Sequence, residues 1–138
     1  APTSRRASSN YGIGYDGRIG MYVEEKDRSW CSSSASNDNR AITIEVASDT
    51  KHPYKVRDAA YKALIDLCTD ICKRNGIKEL KWKADKSLIG KVEQQNMTVH
   101  RWLTCTARLP LRSTQGLGQY LIPPQTQTPP WSTLWAMW

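Results

Sequence analysis

The chain has 138 residues, of which 39% are hydrophobic, and its net charge is +7. This length allows one domain with a proper core and leaves little room for a second. No apolar run reaches the roughly 18 residues of a membrane span, and the polar start lacks the apolar region of a signal peptide. The positive charge suits polyanions, but the basic residues are scattered, so direct nucleic-acid binding is not expected.

The first predicted element is a β-hairpin over residues 10–24. The pair Asp16-Gly17 is a strong two-residue turn signal, because glycine accepts a positive φ, and β-forming residues flank it on both sides. From 24 to 40 the composition becomes polar and rich in serine. We therefore expect a long surface loop there, interrupted by Trp30.

A strand is predicted at 41–47, where branched apolar residues alternate with Thr43 and Glu45. The apolar set points to the core, so Glu45 projects from the opposite face. A second strand is predicted at 97–102 and contains His100. A histidine and a carboxylate on rigid strands are the groups needed to bind a metal and to move a proton. We expect both to open onto one groove floor from neighbouring strands.

Between these strands, apolar residues at helical spacing predict a helix over 56–74 that ends at Asn75-Gly76. Two cysteines lie one turn apart on its apolar face, where buried small hydrophobic groups are expected rather than a metal-binding pair. A short strand is predicted at 77–82, and a short helix or loop at 87–90. The four cysteines form no Cys-x-x-Cys pair, which favours reduced thiols.

Residues 103–138 have a different composition from the rest of the chain. They contain no Asp, Glu or Lys, but five of the seven prolines and three of the six tryptophans. Proline pairs forbid a continuous helix, so a poorly ordered tail is expected. The alternative is a helical stripe of Trp131, Trp135 and Trp138 on a partner or a membrane interface.

Four segments of the chain resemble, in order, motifs of the zinc-dependent N-acetylmuramoyl-L-alanine amidases. The resemblance is to the peptidoglycan-recognition-protein and T7-lysozyme-like superfamily, in particular to the amidase domains of phage endolysins. The segments are Ser8–Gly17, Asp27–Trp30, Asn39–Glu45 and Thr98–Trp102. The resemblance covers residues 3–102 and implies an α/β (mixed α+β) fold, with a central mixed β-sheet flanked by helices and an irregular C-terminal tail.

The resemblance also implies a reaction and a set of site residues. The reaction is hydrolysis of the peptidoglycan amide bond between N-acetylmuramic acid and L-alanine by a zinc-activated water. By this resemblance Glu45 is the general base and His100 a zinc ligand, and Cys105 is a further candidate ligand. The candidate substrate-binding residues, which would line the groove, are Ser9, Trp30, Asn39 and His52. For Trp30, a cap on the sheet and a sugar-stacking platform are both open, and for His52 a solvated turn residue is the alternative.

The chain departs from the family pattern at both ends. The first family histidine lies on a strand ahead of the hairpin, where this chain begins, so we expect a truncated N-terminus. The family's cysteine is followed by proline, whereas Cys105 is followed by threonine and comes five residues after His100. We interpret the sequence after Trp102 as divergent and read in a different frame. Because ligands are missing, we expect weak zinc binding and slow or no cleavage.

These features divide the chain into a partial amidase-like domain at 1–102 and an atypical Pro/Trp-rich tail at 103–138. The alternative function is a non-catalytic peptidoglycan-binding module. We expect a monomer that has bacterial peptidoglycan as its partner, is made in the bacterial cytoplasm without a signal peptide, and acts on the cell wall after release. A nucleic-acid binder ranks last, because nothing supports base readout.

Overall fold

The computed structural model describes residues 7–32, 34–104 and 131–137. The strands are β1 (Tyr11–Ile13), β2 (Ile19–Met21), β3 (Ile42–Ala47), β4 (Met97–Val99) and β5 (Trp131–Met137). The helices are α1 (Ala35–Asp38), α2 (Asp58–Arg74) and α3 (His100–Thr104), with a 3-10 helix at Lys86–Leu88. No helix within the described ranges is long and apolar enough to cross a membrane.

The described strands form one mixed five-stranded sheet in the order β2-β1-β3-β5-β4. β1 pairs antiparallel with β2 and parallel with β3, while β5 runs antiparallel to both β3 and β4. The predicted hairpin is confirmed: the Gly14 N–H donates to the Arg18 carbonyl at 2.9 Å, and Gly17 at the tip has a φ of 80°. A mixed sheet with helices is the α+β fold that the sequence predicted.

The hydrophobic core lies between α2 and one face of the sheet. The predicted helix is confirmed and ends in a Schellman motif, in which the Ile77 N–H donates to the Cys72 carbonyl at 2.9 Å. Burial raises the pKa of Cys68 to about 11, with a further contribution from Cys72, so Cys68 packs as a small hydrophobic group. The buried core residues are Tyr11, Ile13, Ile44, Val46, Ala60, Ala63, Leu64, Leu67, Cys68 and Ile71.

The prediction of a strand at 77–82 is wrong. This segment is extended but is held by side chains instead of by a neighbouring strand. The Asn96 Oδ1 accepts from the Lys81 N–H at 2.7 Å, and the Asn96 Nδ2 donates to the Glu79 carbonyl at 2.9 Å. Gln95 binds the next residues of the segment in the same way. Two buried amide side chains thus replace the hydrogen bonds that a partner strand would make.

The polar segment 24–40 and the C-terminal tail also differ from expectation. The first is not only a surface loop, because it contains α1 and several buried polar side chains. Within the tail, Trp131–Met137 forms β5, which lies between β3 and β4 in the sheet, rather than a disordered segment or a helical stripe. Its uncharged sequence of β-branched, aromatic and aliphatic residues suits a central strand. The rest of the predicted tail, apart from the end of α3, lies outside the described residues.

Glu25 joins the segment after the hairpin to the C-terminus of α2. The Arg74 guanidinium donates to both carboxylate oxygens, at 2.7 and 3.0 Å. The Tyr11 hydroxyl and the Asn75 side-chain amide donate to the same carboxylate at 2.6 and 3.2 Å. Chiefly through the Arg74 hydrogen bonds, the pKa of Glu25 falls from 4.5 to about 2. The ionised carboxylate is therefore the form that stabilises the fold.

We predict that Glu25→Gln lowers the free energy of unfolding by about 1–2 kcal/mol at pH 7, after allowing for the solvent that reaches Arg74. Because folding lowers the pKa, this contribution is complete above pH 4.5 and is lost as the pH falls from 4.5 towards 2. Urea unfolding at pH 7 and pH 3 measures both effects. Glu24→Gln, which removes only an exposed pair with Lys26, is the matched control. An equal loss in both variants would contradict the prediction.

Candidate functional site

Glu45 lies at the centre of the sheet, on the face opposite to α2. Its neighbours along β3, Ile44 and Val46, are fully buried in the core, whereas Glu45 itself is partly exposed. In the sheet register Glu45 pairs with Gly12 of β1 on one side and with Leu134 of β5 on the other. The alternation in β3 thus places this carboxylate as the sequence predicted.

His100 is the first residue of α3 and follows β4 directly, so the predicted strand position is wrong. β4 is also not adjacent to β3, because β5 lies between them. In the sheet register Val99 pairs with Trp135, and Glu45 pairs with Leu134, the residue before Trp135. His100, which follows Val99, therefore lies level with Glu45 across the sheet. Two strand spacings correspond to about 10 Å between the backbones. Burial lowers the pKa of His100, and the charge of Asp38 opposes this shift.

A buried polar cluster lies on the Glu45 face of the sheet. Asn10 and Thr43 form reciprocal hydrogen bonds: the Asn10 N–H donates to Thr43 Oγ1, and the Thr43 N–H donates to Asn10 Oδ1, both at 3.0 Å. The Ser29 hydroxyl lies 2.7 Å from Thr43 Oγ1. All three side chains are buried, so this face is closed to solvent next to Glu45 but is not apolar.

Asp38, at the end of α1, fixes the chain that covers this face. Asp38 is only 3% exposed. One oxygen accepts from the Cys31 N–H at 3.1 Å, and the other accepts from the Ser32 hydroxyl and from the Asn37 amide. The Ser32 N–H also donates to the carboxylate, at 3.2 Å. These hydrogen bonds compensate for the burial of a charge.

Cys31 is held against the Glu45 carboxylate. Its thiol donates to Glu45 Oε1 over 3.9 Å. Burial, followed by the charge of Glu45, raises the pKa of Cys31 to about 12. The thiol is therefore protonated at neutral pH and suits a weak hydrogen-bond donor, not a nucleophile. The position of Cys31 beside the candidate base could not be predicted from the sequence, because it depends on the hydrogen bond to Asp38.

The predicted substrate-binding residues lie in different environments. Trp30 is 62% exposed, and the Arg28 guanidinium lies 4.2 Å from its ring centroid. Ser9 is buried and offers almost no surface to a substrate. Asn39 is exposed and ends α1. His52 is exposed in a turn, where its ring meets Tyr54 edge-on at 6.0 Å. Of these four, Trp30 has the most suitable surface for a sugar.

The described residues do not fit the zinc site that the sequence predicted. Among them, no group of three or more His, Cys, Asp or Glu side chains could hold a metal ion. Cys31 is the thiol nearest to Glu45 in the described structure, but its raised pKa disfavours the thiolate that binds zinc. The other candidate thiol, Cys105, lies outside the described residues.

Tyr22 is an aromatic residue on the Glu45 face of the sheet that was not predicted from the sequence. A Cβ atom on Gly12 would lie 2.7 Å from the Tyr22 ring, and one on Gly20 would lie 3.3 Å from it. Gly12 and Gly20 are directly opposite each other in the β1–β2 pair. The sequence feature that could have indicated this contact is the pair Gly12 and Gly20 in the hairpin, with Tyr22 two residues after Gly20.

A family model described as N-acetylmuramoyl-L-alanine amidase matches residues 1–107. The chain belongs to this family. The comparisons with curated proteins and with solved structures gave no match. Amidases of this family are hydrolases that act on peptidoglycan, so the match confirms the predicted amidase domain. The division of the amidase chain at Trp102 stays a prediction.

We predict that Asp38→Asn lowers the free energy of unfolding of the amidase domain by about 2–4 kcal/mol, because an amide group would face backbone donors in a buried site. The variant should also expose Cys31, which mass spectrometry of alkylated peptides would detect as faster modification. Asp66→Asn is the control, since its exposed carboxylate pairs with Lys62 on the surface of α2. Unchanged stability and unchanged Cys31 labelling would show that Asp38 does not hold this segment.

Proposed function

We propose that the chain binds bacterial peptidoglycan and slowly hydrolyses the amide bond between N-acetylmuramic acid and L-alanine. The observation that carries this proposal is the partly exposed Glu45 residue on the central strand, on the face opposite to α2, in a chain of the amidase family. The endolysin type, and action on the wall after release from the bacterial cytoplasm, are parts of the same proposal.

Glu45 has the position that a general base requires. It projects from the middle of a rigid strand, and the Cys31 thiol beside it donates to one oxygen of its carboxylate. A carboxylate in this position can take a proton from an attacking water and return it to the departing amine. Positioning on a strand in the centre of the sheet keeps the carboxylate fixed while the substrate lies along the face.

Zinc enters this proposal only as a family expectation. In the family the metal supplies an activated water and polarises the scissile carbonyl. Since the described residues contain no set of three ligands, we assign no step to the metal. We expect less than one equivalent of zinc in the purified chain, and a correspondingly low rate.

A non-catalytic peptidoglycan-binding module is the second candidate. The observation that favours it is the same lack of a ligand group among the described residues, together with an exposed Trp30 near the site. A domain that has lost the metal would retain the polar face and the exposed aromatic rings. It would sediment with cell walls and release no peptide.

We predict slow release of stem peptide from purified peptidoglycan by the full chain, and a loss of about 100-fold or more in Glu45→Gln. Sedimentation with the cell wall should be unchanged in the variant, because the amide retains the shape of the side chain. Glu79→Gln is the control, since this carboxylate lies exposed on the irregular segment before the 3-10 helix.

Three results distinguish the two candidate functions. Peptide release that depends on Glu45 supports the amidase, with elemental analysis giving the zinc content of the same sample. Wall binding without any release supports the binding module. An absence of both binding and release contradicts the proposed substrate.

A further inference from the structure

Tyr22 covers a gap in the side chains of the Glu45 face. Gly12 and Gly20 face each other across the β1–β2 pair, and neither has a side chain to fill the space above the sheet. The hydroxyl end of the Tyr22 ring fills it, 3.3 Å from the position of a Cβ atom on either glycine. A methyl group on Gly12 would collide with the ring at 2.7 Å. The hydroxyl end of the ring therefore packs against the backbone of both glycines.

This position is next to the candidate base. Gly12 is the register partner of Glu45, so the two residues face the same side of the sheet. The Gly12 backbone, against which the Tyr22 ring packs, is about one strand spacing, roughly 5 Å, from the β3 backbone at Glu45. Cys31 contacts the carboxylate itself. Tyr22 lies on the same face, over the glycine that is the register partner of Glu45.

Protection of two glycines explains only part of this arrangement. An aromatic ring over a strand glycine is a known way to shield backbone, yet Tyr22 leaves 62% of its surface exposed. The hydroxyls of the other two hairpin tyrosines, Tyr11 and Tyr15, are bonded to Glu25 and to the Ser48 carbonyl. The Tyr22 hydroxyl makes no hydrogen bond within the described residues. Among the described residues, more than half of the Tyr22 surface is thus exposed on the Glu45 face.

We propose that Tyr22 is a substrate-contacting residue and that it takes an uncharged pyranose ring of the glycan, next to the amide that Glu45 would attack. The inference rests on the proposed function. A flat aromatic face suits the C–H face of a sugar, and the phenol can bond a sugar hydroxyl or an N-acetyl carbonyl. Acidic groups of the stem peptide are a poorer match, because the Glu45 carboxylate lies on the same face.

The test uses the full chain and purified insoluble peptidoglycan in a sedimentation assay. Tyr22→Ala should raise the half-saturating amount of peptidoglycan about tenfold, which corresponds to roughly 1.4 kcal/mol. Tyr22→Phe restores the ring and should recover most of the binding. Gly12→Ala should weaken binding without altering Tyr22 itself, because it displaces the ring. Tyr61→Ala removes an equally exposed tyrosine, 57% exposed on α2, and should bind like the unmodified chain.

Thermal unfolding of each variant separates a structural role from a binding role. The inference is supported if Tyr22→Ala is fully folded at the assay temperature but binds more weakly, and if Tyr22→Phe recovers the binding. Normal binding by folded Tyr22→Ala, or an equal loss in Tyr61→Ala, overturns it and leaves the proposed function standing. If the unmodified chain does not sediment with peptidoglycan, both are overturned. With soluble muropeptide, the change should appear in KM and not in kcat.

Discussion

The buried amide of Asn10 is the constraint on which the site face depends. Asn10 is 0% exposed, so each of its polar atoms needs a partner inside the protein. Its Nδ2 atom donates to the carbonyls of Val23, Glu24 and Asp27 at 3.0–3.3 Å, and its Oδ1 atom accepts from Thr43. One side chain thus joins β1, β3 and the segment after β2. An unsatisfied buried amide would cost about 1–3 kcal/mol for each lost partner.

Because of this constraint, the two faces of the sheet differ in chemistry. On the α2 face, burial is apolar and tolerates hydrophobic replacements of similar volume. On the other face, burial requires matched donors and acceptors, and the hydrogen bonds around Asn10 and around Asp38 supply them. A carboxylate placed in the middle of such a face keeps polar neighbours and access to solvent. This explains how Glu45 is held rigidly without being desolvated in the core.

The sequence predicted the elements whose stability comes from a repeating apolar pattern. β3, the hairpin and α2 were predicted because alternation, turn chemistry and helical spacing are visible within a few residues. The burial of Ser32 and Asp38 could not be predicted, since polar residues are buried only where tertiary partners meet them. The same reason explains the error at 77–82, where the partner of the segment is a pair of amide side chains. The place of β5 in the sheet could not be predicted either, because its partner strands β3 and β4 lie far from it in the sequence.

The position of β5 links the C-terminal part of the chain to the chemistry of the site. In the described structure β3 and β4 have no direct backbone pairing, and each is hydrogen-bonded to β5. The separation of Glu45 from His100 is therefore set by the register of a strand that begins at Trp131. If β5 slipped by one residue against either neighbour, β3 and β4 would shift by one position relative to each other. Residues that now point to the same face of the sheet would then point to opposite faces. The tail sequence thus helps to define the geometry of the site, although its composition suggested no such role.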